Sequence, residues 1–484
     1  MAWKMPLMLT GVVLGACAMT EAPTLPVTSQ SQIPLLKVDS QRVIPQTQSE
    51  ITLSFAPVVK QAAPAVVNIY TKKVVERRVS PFAGDPFFER FFQDMFPQGQ
   101  RRQRKIENSL GSGVILDASG IVVSNHHVVA GADEITVVLQ DRREYQGRVI
   151  FADKESDLAV VQLDGAADLP TLALRDSNTL EVGDLVLAIG NPFGVGQTVT
   201  SGIISALARG RESRRGTGFF IQTDAPINPG NSGGALVDME GRLVGVNTAI
   251  LSRSGGSNGI GFAVPANLVA KVVNSARAGN SELVRPWLGV AGQAVTGEIA
   301  SSLGLSTPIG LLVEDVHPAG AIAKAEIKRR DIITALDGEP VNTMQELEFR
   351  AATRTLGSKS TITLLRNGAE SSRQITLSAA PETPARDQRD LARGDGLPGL
   401  KVVNVNPAVI DQYNLRLSTK GVLVLQTQGP ARRVGLRRGD LIRSVDGNTV
   451  GRVSALIEQL RKTSGDTVLE VERKGRVGKV SYRR

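Results

Sequence analysis

From Ile51 to about Ser275 the apolar residues fall in short runs with turn-forming residues between them. Val66-Val67-Asn68-Ile69-Tyr70, Ile135-Thr136-Val137-Val138-Leu139, Leu158-Ala159-Val160-Val161-Gln162-Leu163, Leu185-Val186-Leu187-Ala188-Ile189 and Leu243-Val244-Gly245-Val246 are short and largely β-branched, so each reads as a strand. Gly113-Val114-Ile115-Leu116 and Ile121-Val122-Val123-Ser124 flank Asp117-Ala118-Ser119-Gly120, which has the composition of a hairpin turn. Many short strands with glycine-containing turns predict an all-β barrel or sandwich. The pattern breaks between Lys73 and Asn108, where Pro86-Phe87-Phe88 and Phe91-Phe92 lie in a polar, basic stretch. That stretch is long for a plain connection. It predicts a loop whose aromatics dock on another surface or pack on their own domain.

Beyond Ser275 the chain repeats itself. Gly310-Leu311-Leu312-Val313 leads to Asp331-Ile332-Ile333 and then Asp337-Gly338. Gly421-Val422-Leu423-Val424 leads in the same way to Asp440-Leu441-Ile442 and Asp446-Gly447. Each copy then predicts a helix. Thr343 with Glu346 makes a capping box, and Val453, Leu456, Ile457 and Leu460 share one helical face. A strand closes each copy, Thr361 to Arg366 and Thr467 to Arg473. Pro381 to Gly396, charged and proline-containing, reads as the linker between the copies.

The N-terminus reads as an export signal: Lys4, an apolar run from Leu7 to Leu14, then small residues. The run is shorter than the ~20 apolar residues that span a bilayer. Leu14-Gly15-Ala16-Cys17 resembles a lipobox, which would give a lipid anchor through Cys17, while Ala16-Cys17-Ala18 also fits ordinary signal cleavage. Residues 20 to 50 are rich in Pro, Gln, Ser and Thr and read as a flexible tether.

Composition changes this picture little. Aromatics are 4% of the 484 residues and glycine numbers 49, which suits strands and tight turns better than helical bundles. The net charge is +9, but apart from short clusters such as Arg101, Arg102, Arg104 and Lys105 the cations are scattered. There is no zinc-finger spacing and no aromatic-basic stripe, so nucleic acid is not an expected partner. Cys17 is the single cysteine, which excludes an internal disulfide and a cysteine-based metal site. No metal and no cofactor is expected.

Chemistry concentrates in a few residues. Gly230-Asn231-Ser232-Gly233-Gly234 holds a serine between glycines. Attack on an amide needs an activated hydroxyl and donors for the oxyanion. Glycine before the serine lets the N–H groups of Gly230 and Ser232 turn into one pocket. The string also fits the G-x-S-x-G elbow of α/β-hydrolases, in which acid and histidine follow the serine. Here the only later histidine is His317. The order His, Asp, Ser of the chymotrypsin arrangement is available as His127, Asp157 and Ser232. Of the neighbours His126 and His127, one is the expected base and the other a surface residue. Asp157 stands where an aspartate enters an apolar strand, and a buried carboxylate needs a partner.

At these residues the chain resembles the HtrA/Deg (protease Do) family of bacterial serine proteases. Ser124-Asn125-His126-His127-Val128-Val129, Ser156-Asp157-Leu158-Ala159 and Thr223-Asp224-Ala225-Pro226-Ile227-Asn228-Pro229-Gly230-Asn231-Ser232-Gly233-Gly234 carry the resemblance. Gly190-Asn191-Pro192-Phe193-Gly194 and Gly259-Ile260-Gly261-Phe262-Ala263-Val264-Pro265 extend it. The repeats resemble PDZ domains, which bind peptides by β-augmentation. Trp287-Leu288-Gly289-Val290 resembles the carboxylate loop of the first, and Leu397-Pro398-Gly399-Leu400-Lys401-Val402 is its counterpart in the second. Arg330 departs from the pattern, standing where glycine usually precedes the aspartate.

The resemblance implies a multidomain chain: an all-β, chymotrypsin-like double β-barrel protease followed by two α+β PDZ domains. Its expected divisions are a signal over 1–18, a linker over 19–50, a protease domain over 51–280 with a regulatory loop at 73–108, PDZ domains over 281–380 and 397–484, and a linker over 381–396. It assigns His127 as base, Asp157 as its orienting partner, Ser232 as nucleophile, and Gly230 with Ser232 as oxyanion hole. Ile227, Asn231, Ile260 and Gly261 are expected at the substrate, in a pocket for small aliphatic side chains. Trp287, Leu288, Gly289 and Val290 are expected to bind peptide, and Arg209 to Gly216 to act as an activation sensor. The expected partners are unfolded polypeptides, exposed C-terminal peptides and further copies of the chain, as a trimer or a multiple of it. The expected place is the periplasm and the expected role protein quality control. An ATP-independent chaperone with a latent site is the alternative, and an esterase a weaker one. The protease reading predicts a rate that rises with pH as the histidine loses its proton.

Overall fold

The computed structural model describes residues 38–39, 54–79, 101–191, 196–210, 219–228, 230–250, 259–463 and 465–483. The signal, Cys17, most of the 19–50 tether, the Phe-rich part of the 73–108 stretch, Pro192 to Gly194 and Arg211 to Gly216 lie outside the described residues.

The first predicted strands close into a barrel. In spatial order they are Val66–Val79, Arg101–Asp117, Ile121–Asn125, Leu158–Leu163, Glu144–Asp153 and Glu134–Val138, the last pairing back to the first. The predicted turn forms as expected: the Gly120 N–H donates to the Asp117 carbonyl at 3.0 Å, and the Asp117 carboxylate accepts the Ser119 N–H at 2.9 Å. The 73–108 stretch differs from its hydrophobic pattern. The ladder continues antiparallel from Val66 opposite Val114 to Val79 opposite Arg101, so both ends of the stretch are strand. Backbone pairing is made by N–H and C=O groups that every residue carries, so it needs no alternation of side chains.

The second sheet runs Val38–Asp39, Leu174–Arg175, Leu243–Ile250, Ala235–Val237, Leu185–Gly190, Thr198–Gly210, Phe219–Thr223, Gly261–Pro265. The last strand also pairs with Leu243–Ile250, so this sheet returns on itself as a second barrel. Leu180, Val186, Ala188, Ile204, Ile221 and Leu236 are among its buried residues. The helix Ala266–Arg277 buries Leu268, Val269, Val272 and Val273 against a larger apolar cluster shared by both barrels. This is the double-barrel trypsin-like fold, followed by two PDZ domains.

The two PDZ sheets explain the repeated aspartates. Asp331 accepts two hydrogen bonds of 2.7 Å from Arg366, and Asp440 accepts the same pair from Arg473. Asp337-Gly338 and Asp446-Gly447 turn with both residues at positive φ, as a tight hairpin turn of this composition does. Each turn aspartate accepts a backbone N–H, from Thr361 and from Val468, at 2.7 Å. Arg330 has φ +76° where Gly439 has φ +89°, so the arginine sits in a conformation glycine adopts without strain. The Thr343 hydroxyl caps the helix Met344–Ala352 as predicted, but Glu346 reaches back to the Asn342 N–H, one residue before the cap.

Contacts hold the first PDZ domain against the barrels. The Lys271 ammonium donates to the carbonyls of Ala352 and Arg354, both at 2.5 Å, at the C-terminal end of the helix Met344–Ala352. A cation suits that end of a helix dipole. Burial nevertheless pushes its pKa down to about 8. The predicted linker at 381–396 is also folded: Arg389–Asp390 is a strand on the second PDZ sheet, and Arg393–Asp395 is a 3₁₀ turn.

Candidate active site

Two barrels supply opposite halves of the site. The strand Ile121–Asn125 is buried throughout and delivers the one-turn helix His126–Val129 at its end. Asp157 stands in the turn before Leu158–Leu163 with φ +56°, a left-handed conformation that aspartate tolerates. That turn aims its carboxylate at His127. Asp157 Oδ2 lies 2.7 Å from His127 Nδ1, and Oδ1 accepts the His127 backbone N–H at 3.0 Å. His126 instead donates its backbone N–H to the Asp157 carbonyl at 3.0 Å. It is the His127 ring that meets the carboxylate, while His126 is half-buried and not the surface residue expected.

Thr248 completes the pair. Its hydroxyl donates to Asp157 Oδ2 at 2.6 Å. Burial pushes the Asp157 carboxyl up, but the hydrogen bonds from His127 and Thr248 outweigh it and hold the carboxyl below its ordinary value. The carboxylate thus stays charged and fixes the His127 ring with Nδ1–H toward it and Nε2 free to take a proton. The His127 side chain is half exposed.

Ser232 comes from the second barrel. Its loop is pinned by backbone bonds: Asn231 N–H to Asn228 O at 3.0 Å, Gly233 N–H to Asn247 O at 2.7 Å, and Ser112 N–H to Ser232 O at 2.8 Å. Gly233 must be glycine, because φ is +86° and a Cβ would stand 2.1 Å from the Ser112 carbonyl oxygen. Gly230 has φ +102°, which turns the peptide ahead of Ser232. Among the described residues the N–H groups of Gly230 and Ser232 have no hydrogen-bond acceptor. The Ser232 hydroxyl donates to the Thr248 carbonyl at 3.1 Å and, among the described residues, makes no hydrogen bond to His127.

Two residues that sequence reasoning did not single out join the halves. Ser112, on the first barrel, donates its hydroxyl to the Gly230 carbonyl at 2.6 Å and accepts the Asn191 N–H at 2.9 Å. Thr248, on the second, touches Asp157 with its side chain and Ser232 with its carbonyl. Gly111-Ser112-Gly113 was the available signal for the first; Thr248 sits in an ordinary strand pattern and offered none.

The remaining predicted residues are placed as follows. Ile227 is buried in the second-barrel core beside Gly261, where an added Cβ would lie 2.8 Å from Ile227 Cδ1. Asn231 is buried beneath the loop and Ile260 is half-buried. Trp287, Leu288 and Val290 are buried, and Gly289 has φ +66°. The third histidine supports this second cluster: His317 donates its N–H to the Gly289 carbonyl at 2.8 Å, and its ring lies edge-on to Trp287 at 5.2 Å. Burial holds the His317 imidazole below the ordinary histidine value. Among the described residues no three His, Cys, Asp or Glu side chains are grouped to hold a metal, and no helix is long and apolar enough to cross a membrane.

Residues 111–246 match the trypsin-like peptidase domain, and residues 286–377 and 421–473 each match a PDZ domain. A probable periplasmic serine endoprotease, DegP-like, from Pseudomonas putida is 37% identical over 91% of this chain and 95% of its own length. The chain belongs to the HtrA (protease Do) family of serine endopeptidases. Another HtrA relative, the periplasmic pH-dependent serine endoprotease DegQ of Escherichia coli, is 38% identical over 87% of this chain and 89% of its own. The solved structure of the HtrA-type protease AlgW with a decapeptide superposes with a TM-score of 0.50 at 42% identity, over 68% of this chain and 99% of that one.

Proposed function

We propose that this HtrA chain cuts unfolded exported polypeptides in the periplasm through a Ser232 acyl-enzyme. The observation that carries the reading is the 2.7 Å contact of His127 Nδ1 with Asp157 Oδ2, beside a serine loop whose Gly230 and Ser232 N–H groups have no acceptor among the described residues. Ser232 Oγ attacks the scissile carbonyl carbon and its proton passes to His127 Nε2. The oxyanion takes the N–H groups of Gly230 and Ser232. His127 then gives the proton to the leaving amine, and water repeats the sequence on the ester. Asp157 holds the imidazolium and does not itself take the proton. Ile227, Asn231, Ile260 and Gly261 favour a small aliphatic side chain before the cut bond, since Gly261 and Ile227 leave little depth between them. The PDZ domains hold peptide segments of the substrate by β-augmentation. Export through residues 1–18, with either a lipid anchor at Cys17 or ordinary signal cleavage, and assembly as a trimer or a multiple of it complete the reading.

One observation favours a second reading, a chaperone with a latent site. The Ser232 hydroxyl rests on the Thr248 carbonyl, so it must rotate toward His127 before it can attack. Reduced casein incubated with the wild type and with Ser232→Ala separates the two. Cleavage by the wild type alone supports the protease. Binding of casein by both chains with no cleavage by either supports the chaperone.

A further inference from the structure

The two PDZ sheets have the same edge in opposite states. In the first, the strand Val290–Ala294 ends the sheet, and no strand pairs with its outer side among the described residues. The N–H groups of Leu288 and Gly289, just before it, have no acceptor among those residues. In the second, Leu400–Asn404 takes the same place. Leu400 lies opposite Thr427 as Val290 lies opposite Val316, and both ladders slip one residue later. Gly399 then stands for Gly289, and Pro398, which has no N–H, stands for Leu288.

This second edge is filled from within the chain. Arg389 lies opposite Val402 and Asp390 opposite Lys401, antiparallel. The ladder continues beyond the strand at both ends. Asn404 N–H donates to Arg386 O at 2.7 Å, Leu391 N–H to Leu400 O at 2.8 Å, and Gly399 N–H to Leu391 O at 3.1 Å. The Leu391 side chain is 4% exposed and belongs to the apolar cluster of Leu397, Leu456 and Leu460. After Leu391 the chain turns out of the groove. Asp395 accepts the Ala392 N–H at 2.9 Å and is held by Arg461 of the helix Val453–Lys462 at 2.7 Å. At the other end the Asn404 and Asn406 side chains hold the carbonyls of Ala385 and Pro384, each at 2.7 Å.

A peptide bound by β-augmentation adds an antiparallel strand to an open edge, buries alternate side chains and gives its terminal carboxylate to backbone N–H groups. We propose that residues 386–391 are a built-in ligand of the second PDZ domain, with Leu391 seated where the last residue of a bound peptide would sit. The Leu391 carbonyl occupies the one carboxylate donor that Pro398 leaves, the Gly399 N–H. Because the segment is covalently attached, its effective concentration is on the order of millimolar, so even a weak ladder outcompetes free peptide. Chains that end in an apolar residue are therefore taken by the first domain, and the second opens to them only when the 386–391 strap leaves. This rests on the reading that these PDZ domains bind peptides.

The test uses the full chain carrying Ser232→Ala, so that the probe is not cut, and a fluorescent decapeptide ending in leucine. Calorimetry is expected to give one peptide per chain, and two when Leu391→Asp ejects the anchoring side chain. Two per chain without that change, or one per chain in a folded Leu391→Asp protein, would overturn the proposal. Hydrogen exchange on the Ser232→Ala chain stands independently of whether the variant folds. The Leu391, Gly399 and Asn404 amides are expected to exchange slowly and to be unchanged by saturating peptide, while peptide slows Val290–Ala294. Exchange of Leu391 and Asn404 at the rate of an unpaired chain would overturn the strap. Slow exchange there without any effect of peptide on Val290–Ala294 would leave the strap standing and count against peptide capture by the first domain.

Discussion

The two halves of the catalytic site are held to different degrees. On the first barrel, both oxygens of Asp157 are engaged by His127, and a third donor arrives from Thr248. On the second, the loop backbone is held at Asn231, Gly233 and the Ser232 carbonyl, while the Ser232 hydroxyl lies on the Thr248 carbonyl. In the proposed mechanism the acid–base pair is assembled in advance, and the Ser232 hydroxyl must turn from the Thr248 carbonyl toward it. A charge pair costs most to reorganise during reaction, so fixing it in the fold is economical. A serine rotamer changes rapidly and at small cost. A change confined to the serine side would therefore leave the His127–Asp157 pair undisturbed.

The strongest way to break this comparison is to remove each half. Ser232→Ala leaves the His127–Asp157 contact intact and is expected to lower casein cleavage by about 10⁵-fold or more. Unchanged thermal stability beside that loss would place the defect in chemistry. Asp157→Asn is expected to cost about 10³–10⁴-fold in kcat. Donors converge on both oxygens of Asp157, from the His127 N–H on one and from His127 and Thr248 on the other. An amide NH₂ must face one of these donors, and the preferred escape is the wrong histidine tautomer. A variant that kept a tenth of wild-type kcat would show that the pair is not what prepares the serine.

Much of this was legible in the sequence, for identifiable reasons. Buried strands such as Leu158–Leu163 announce themselves because both faces of a barrel wall are apolar. Residue type and chain order led to Asp157, Ser232 and the pair His126 and His127, since three histidines leave few candidates, and the family resemblance chose His127 from the pair. What stayed hidden works through the backbone or through ordinary residues. The ladder past Lys73 and the strap at 386–391 are held by N–H and C=O groups, which every residue carries. Only Leu391 marks the strap with an apolar side chain, and a single leucine in a charged stretch carries no period. Thr248 acts with a hydroxyl and a carbonyl in a run that otherwise reads as plain strand.

The cross-link from the first barrel to the serine loop predicts a smaller effect. Ser112→Ala removes the hydroxyl that holds the Gly230 carbonyl and the Asn191 N–H, but keeps the backbone bond from Ser112 to Ser232. The loop keeps its place while the peptide that orients the Gly230 side of the oxyanion pocket loosens. Losing such a hydrogen bond is worth about 1–1.5 kcal/mol, or roughly tenfold in kcat. KM for a short peptide ester should stay nearly constant. A rise in KM with kcat unchanged would assign Ser112 to substrate binding instead.

The other cross-link sharpens the comparison through pH. Thr248→Val keeps the shape of the side chain and removes one of the hydrogen bonds that hold the Asp157 carboxyl below its ordinary value. For a carboxyl depressed in the folded state, the stabilising contribution is complete above the ordinary aspartate pKa. It is lost as pH falls through the lower, folded value. With one donor fewer, that folded value rises toward the ordinary one and the loss begins at higher pH. Acid unfolding of Thr248→Val is therefore expected to shift upward by a fraction of a pH unit, with about 1 kcal/mol less stability near neutrality. The kcat should fall only a few-fold, because the contact of His127 with Asp157 survives. An acid midpoint identical to wild type, beside a large loss of kcat, would mean that Thr248 acts on the serine through its carbonyl and not on the carboxylate through its hydroxyl.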